Sequence, residues 1–434
     1  MPRSDQRQHG RRARRPLRRA VRASAGVIGV LALWVPAAAH AAVASIRFGQ
    51  AVSLRLPTGA RFPAVKSAAC VGTGSCTLAG GYNGRSNVSH AMVVTRSDGR
   101  WASAIKLLLP FNSRPSPDGE ADAISCSRAG SCVAAGSYTV GSKLKGFTAT
   151  ESHGAWRRAT EIKLPSNAAL SSNVFIHGVA CTGPGNCVVA GNYSDDLGHH
   201  RIMVATEFKG TWGRARELRA PANASPIEPV YLDSLACPGL GSCVAVGTYQ
   251  DRPFHGLVFV ATESGGTWHQ ATQLPLPKDA NTNDPDASIV SVACSGVGSC
   301  VALGSYVDRL GGLVPMSVAE SGGTWARAQH VTRVPANAAA RPSLTFMSVS
   351  CLRNGSCLGV GDYRIRGGGT GAMVMTRSGT RWISAIQIRT PPDGATVPKQ
   401  HAMAVAIGCS ASGFCAVAGS YQTAQATQLM AATG

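Results

Sequence analysis

Ser291-Val292-Ala293-Cys294-Ser295-Gly296-Val297-Gly298-Ser299-Cys300-Val301-Ala302-Leu303-Gly304-Ser305-Tyr306 sets two short apolar runs on either side of a Gly/Ser turn. That is the pattern of a β-hairpin, with its two cysteines facing each other just outside the loop. The same Cys-x5-Cys pair recurs at Cys70/Cys76, Cys126/Cys132, Cys181/Cys187, Cys237/Cys243, Cys294/Cys300, Cys351/Cys357 and Cys409/Cys415, at intervals of 55 to 58 residues. Seven copies of one β-type unit at that period mark a propeller or solenoid rather than an ordinary globular core.

Working outward from the hairpin, whose strands are A and B, a variable glycine-containing loop leads to Met316-Ser317-Val318-Ala319-Glu320 as strand C. A tight Ser321-Gly322-Gly323-Thr324 turn then leads to Trp325, which opens strand D. Trp101, Trp156, Trp212, Trp268, Trp325 and Trp382 keep a spacing of 55 to 57 residues. Each is followed three residues on by alanine, and a proline such as Pro110 or Pro335 closes the strand, because proline cannot donate to a sheet ladder. Seven hairpins but six such tryptophans leave one strand D to be found. The chain stops at Gly434, just after the seventh strand C. Phe48-Gly49-Gln50-Ala51-Val52-Ser53-Leu54-Arg55-Leu56-Pro57 matches Trp101 to Pro110 in length, alanine and closing proline. An N-terminal strand that completes the C-terminal repeat closes a ring, whereas an open solenoid has no use for it. The expected fold is an all-β, seven-bladed β-propeller of four antiparallel strands per blade. Its blades begin near residues 64, 120, 175, 231, 287, 345 and 403.

The first 24 residues hold nine arginines, and an apolar run follows from about Ala25 to Ala39. This reads as a signal peptide over residues 1–41, with cleavage expected before Ala42, and leaves 42–434 as one propeller domain. Removing it takes nine of 42 basic and one of 22 acidic residues, leaving 33 against 21 and a net charge of +12. Such a balance favours anionic extracellular partners. The basic residues form no stripe interleaved with aromatics, so nucleic acid is not expected. No further apolar stretch is long enough to insert in a membrane, and a monomer at the cell surface or outside it is expected. In an exported chain with every cysteine paired in sequence, disulfides are the expected state. Each closes a short loop worth roughly 2 to 2.5 kcal/mol on the chain-entropy model. Zinc sites use tighter spacing, so neither metal nor cofactor is expected.

Residues repeated in all seven units serve the frame, while a binding site needs asymmetry. Tyr82, Tyr138, Tyr193, Tyr249, Tyr306, Tyr363 and Tyr421 follow the second cysteine by six, and glycine precedes each by two, so both are expected to be structural. Asymmetry appears four residues before each first cysteine, where the chain carries Lys66, Asp122, His177, Asp233, Val290, Met347 and Val405. Lys66, Asp122, His177 and Asp233 are therefore the candidate ligand contacts, on loops around the channel mouth. Asp195-Asp196 with His199-His200, and Asp284-Pro285-Asp286, lack the spacing of a metal loop. No Gly-x-Ser-x-Gly elbow, His-Glu-x-x-His or phosphate loop is present, and no catalytic residue is assigned.

With its Cys-Val-Ala-Val-Gly type repeats, the chain resembles secreted bacterial β-propeller proteins, most of them without assigned activity. Ser97-Asp98-Gly99-Arg100-Trp101 and Ser321-Gly322-Gly323-Thr324-Trp325 also resemble degenerate Asp-box turns of sialidases and related propellers. The sialidase set of three arginines, a Tyr/Glu pair and an acidic donor cannot be placed here, so the resemblance supports fold. The expectation is an exported binding or scaffold module for an extracellular glycan or protein. The competing expectation is a glycoside hydrolase or lyase using Asp122, Asp233 or Glu120.

Overall fold

Each Cys-x5-Cys hairpin opens its own antiparallel sheet, and seven sheets follow one another along the chain. The computed structural model describes residues 46–113, 118–252 and 254–434; the expected leader lies outside them. The A strands are Arg61–Val71, Gly119–Arg128, Phe175–Gly183, Val230–Gly239, Ser288–Gly296, Thr345–Cys351 and Ala402–Cys409. Each packs on the next, and the last packs on the first. The result is a seven-bladed β-propeller.

The expected closure holds at residue level. Val52–Ser53 pairs with the last strand C, Thr427–Thr433, in the register Val52↔Ala431 and Ser53↔Met430. Gly49 N donates to Thr433 O and Leu54 N to Leu429 O, each at 3.0 Å. Strand D differs from the continuous strand expected. In blades 1 to 5 it is broken into two short pieces, as at Thr324–Trp325 and Gln329–His330. The recurring alanine is the cause: Ala104, Ala159, Ala215, Ala271 and Ala328 turn their N–H to the strand D carbonyls of the preceding blade at 2.8–2.9 Å. Ala51 does the same toward Arg389 O, so the N-terminal segment docks as a true fourth strand. Blade 6 keeps a continuous strand, Arg381–Gln387, because Ala385 pairs within its own sheet.

The core is divided rather than central. Apolar clusters lie at all seven boundaries between consecutive blades, with a second, smaller one between blades 7 and 1, and each boundary includes the aromatic that opens strand D, from Trp101 to Trp382 with Phe48 at the seventh. The tryptophans are thus wedges between blades, where a large ring buries the most apolar surface. All seven cysteine pairs are disulfides, as expected: Cys70–Cys76, Cys126–Cys132, Cys181–Cys187, Cys237–Cys243, Cys294–Cys300, Cys351–Cys357 and Cys409–Cys415. Each bond crosses from strand A to strand B of its own hairpin. Six of the seven recurring tyrosines are fully buried. Tyr138, Tyr193, Tyr249, Tyr306, Tyr363 and Tyr421 donate their hydroxyls at 2.7–3.1 Å to Asn112, Asn167, Asn223, Asp279, Asn337 and Asp393, two residues past each closing proline. Each tyrosine therefore clasps its blade to the segment arriving from the previous one.

Candidate functional site

One slip in the register of strands A and B is common to every blade, and the residue it skips lies four before the first cysteine. Lys66, Asp122, His177 and Asp233 are therefore β-bulge residues within strand A, not loop residues as expected. A bulge leaves one residue unpaired and re-aims its side chain, which suits a site-building position. The recurring strand B glycine makes this possible. A Cβ on Gly80, Gly136, Gly191, Gly247, Gly304, Gly361 or Gly419 would stand only 1.8–2.2 Å from the strand A carbonyl oxygen opposite. The frame residue and the site residue are thus two halves of one local structure.

Serines on strand A fix the spacing of the bulges around the ring. Oγ of Ser67, Ser125, Ser234, Ser291 and Ser350 accepts a backbone N–H from the following blade at 3.0–3.2 Å. Between blades 3 and 4, where Gly178 replaces such a serine, Asn192 Oδ1 accepts from Leu232 N at 2.9 Å. The strand A segments enclose a central channel of about 360 Å3, with His177 lining it.

The two cysteines of each disulfide occupy different surroundings. The strand A members, from Cys70 to Cys409, line the channel. Their strand B partners Cys76, Cys132, Cys187, Cys243, Cys300, Cys357 and Cys415 are at most 3% exposed and sit in the apolar clusters of the core. Cys76, Cys132, Cys357 and Cys415 therefore belong to the frame and not to a ligand site, because a sulfur packed among apolar side chains and bonded to its neighbour presents nothing to a ligand.

Beside the channel, a pocket of about 290 Å3 between blades 2 and 3 is lined by Glu120, Asp122, Phe175 and His177. Lys66 reaches into this group, its Nζ 3.4 Å from Glu120 Oε1. Gly81 makes room for the glutamate: a Cβ there would stand 3.1 Å from Glu120 Cγ. Burial, then the neighbouring Glu120, pushes the Asp122 carboxyl up to about 7, with Lys66 and a backbone hydrogen bond from Ser137 opposing. Burial lowers the His177 imidazole, favouring its neutral form. Asp233 stands apart on blade 4, where Thr248 donates to it at 3.0 Å. Burial pushes it up to about 7 as well, against that hydrogen bond. Val290, Met347 and Val405 make the remaining bulges apolar, although Asp362 occupies in blade 6 the strand B place that Thr248 holds in blade 4.

One residue of the pocket, Phe175, and its counterpart on blade 4 escaped the sequence pattern. Phe175 and Tyr231, six before the first cysteine in blades 3 and 4, are 41% and 42% exposed. The signal for Tyr231 was present, since it is the one tyrosine outside the repeated set. The aspartates of the two loop segments that lack metal-loop spacing organise their own loops. Asp195 accepts from the backbone N–H of Leu197 and His199 and from Arg201 Nε, and Asp284 from Gly256 and Asp286 N–H.

No protein-family model and no curated protein matches the chain. Among solved structures it is similar to Hadza microbial sialidase Hz136, at 12% identity and TM-score 0.44 over 80% of this chain and 73% of that one. It is also similar to Trypanosoma rangeli sialidase, at 11% identity and TM-score 0.43 over 75% and 57%. A puromycin-hydrolyzing peptidase of Mycobacterium tuberculosis matches at 12% identity and TM-score 0.45 over 86% and 54%. The chain thus spans little more than half of the last two.

Proposed function

We propose that the protein is an exported, non-catalytic binding module that holds an extracellular glycan at the bulge-lined mouth of its channel. The pocket formed by Glu120, Asp122, Phe175 and His177 carries this reading. A sugar ring has an apolar face and a hydroxyl edge, and this pocket offers an exposed aromatic ring beside hydrogen-bonding groups that can donate and accept. Near neutral pH Asp122 and Asp233 are each partly protonated, and Lys66 is paired with Glu120, so the mouth is more polar than charged. That favours neutral or weakly acidic sugars at the pocket itself, while the basic surface supports association with an anionic polymer around them. The test is an array of neutral and acidic extracellular glycans, probed with the wild-type chain, Phe175→Ala and Asp122→Asn. Retention lost in both variants supports the reading; equal retention by all three sinks it.

The two carboxyls held near 7 favour one second reading, acid–base glycoside cleavage, because general acids work best with pKa values near the working pH. Turnover of chromogenic glycosides abolished by Asp122→Asn or Asp233→Asn would replace the binding role with that one.

A further inference from the structure

On the opposite face, where the disulfide hairpins meet the C–D turns, the groove between blades 3 and 4 encloses about 390 Å3. Its walls include Val188, Phe208 and Leu240, and two carboxylates line it, Glu207 and Glu263. They are 4% and 6% exposed, and Oε2 of each is buried without a hydrogen-bond partner among the described residues. Each is the strand C residue that pairs with the tryptophan opening strand D, in the registers Glu207↔Trp212 and Glu263↔Trp268. Glu151 and Glu320 hold this place in blades 2 and 5, and their Oε2 atoms are also unpartnered, but neither lines the groove.

What sets blades 3 and 4 apart from the next boundary is the opening. At the next boundary Val297 leans on blade 4, its Cγ2 3.5 Å from where a Cβ on Gly239 would stand. Its counterpart Leu240 leaves the equivalent Gly183 uncovered, since a Cβ there would meet only Asn186 of its own hairpin. Arg216 also lines the groove, but its guanidinium reaches Gly266 O at 3.5 Å and forms no hydrogen bond with either carboxylate. A carboxylate oxygen in an apolar wall is costly until a donor reaches it, and a cationic N–H is the strongest one.

We propose that this groove binds a primary ammonium or guanidinium group on an unbranched aliphatic stem, the cation meeting Glu207 and Glu263 and the stem lying on the apolar wall. The site is independent of the glycan mouth on the other face. Burial raises both carboxyls, and Arg216 opposes the rise at Glu263. A cation needs them ionised, so affinity falls as pH is lowered.

Calorimetric titration of the full chain with pentylammonium at about pH 8 tests this. Saturable binding is expected, weaker by roughly tenfold or more in Glu207→Gln and in Glu263→Gln, unchanged in Glu151→Gln, and not displaced by 1-pentanol. Wild type alone should bind more weakly at about pH 5, which keeps the test valid if a glutamine variant folds poorly. A blocked lysine peptide run in parallel shows whether a free amine or a protein side chain is the better occupant. Absence of saturable binding in wild type, or equal binding by wild type and both folded glutamine variants, overturns the proposal.

Discussion

Gly304 shows how little freedom the frame leaves around the bulge. A Cβ there would meet Ser288 O at 2.0 Å and Ile289 Cα at 3.0 Å, both backbone atoms of the facing strand. Gly304→Ala should therefore cost more than about 2 kcal/mol of stability in a denaturant titration, the range of overpacked backbone sites. At the polar mouth the carboxyls make a different prediction. Asp122 is held near 7 in the fold, above its ordinary value of 3.8, so the folded chain binds its proton more tightly than the unfolded chain. Stability contributed by that proton is present at acid pH and is lost as pH rises through about 7. Relative to wild type, Asp122→Asn should gain on the order of 1 to 2 kcal/mol between about pH 4 and pH 8, allowing for water at the mouth. Denaturant midpoints of the two proteins across that range measure it, and a constant difference would contradict the assigned protonation.

At the scale of elements, most of the frame was legible because it repeats. Cysteine, glycine, tyrosine, tryptophan and alanine each kept their phase, and the displaced Phe48 to Pro57 segment marked the closure. What the pattern could not give was geometry between blades. Strand D reads as one strand in sequence, yet it breaks because Ala104 and its counterparts bond sideways to the preceding blade. The bulge was equally hidden, since alternation cannot show which residue of strand A is skipped. Asn112 and its counterparts had a fixed phase, but their tyrosine partners lie 26 to 28 residues away, and nothing local announces that pairing. Two measurements follow. Deleting residues 46–57 removes the partner of Thr427–Thr433, and should lower the melting temperature sharply or leave the chain aggregated, because an exposed strand edge is a template for association. Replacing Cys294 and Cys300 by serine should cost roughly 2 to 2.5 kcal/mol, since the hairpin is already held by neighbouring blades.

The whole molecule joins a symmetric frame to an asymmetric mouth. Seven equivalent bulges offer seven positions, and the chain fills them with lysine, aspartate, histidine and aspartate on one side and with valine, methionine and valine on the other. The candidate residues were legible because they depart from the repeat. Three of them meet through Glu120 and the Phe175 pocket, while Asp233 is held by Thr248 on the next blade. Phe175 was not legible: phenylalanine at a strand start looks like core until the structure leaves it 41% exposed. The measurement closest to the central claim is quantitative binding of extracellular glycans by wild type, Phe175→Ala, Asp122→Asn and Arg353→Ala, a variant in the A–B turn between Cys351 and Cys357 on the opposite face. Retention should survive Arg353→Ala and fall at least about tenfold in the two mouth variants, the effect of losing a stacking ring or a buried hydrogen bond. Undiminished binding in the mouth variants, with loss in Arg353→Ala, would place the ligand on the other face and contradict the account.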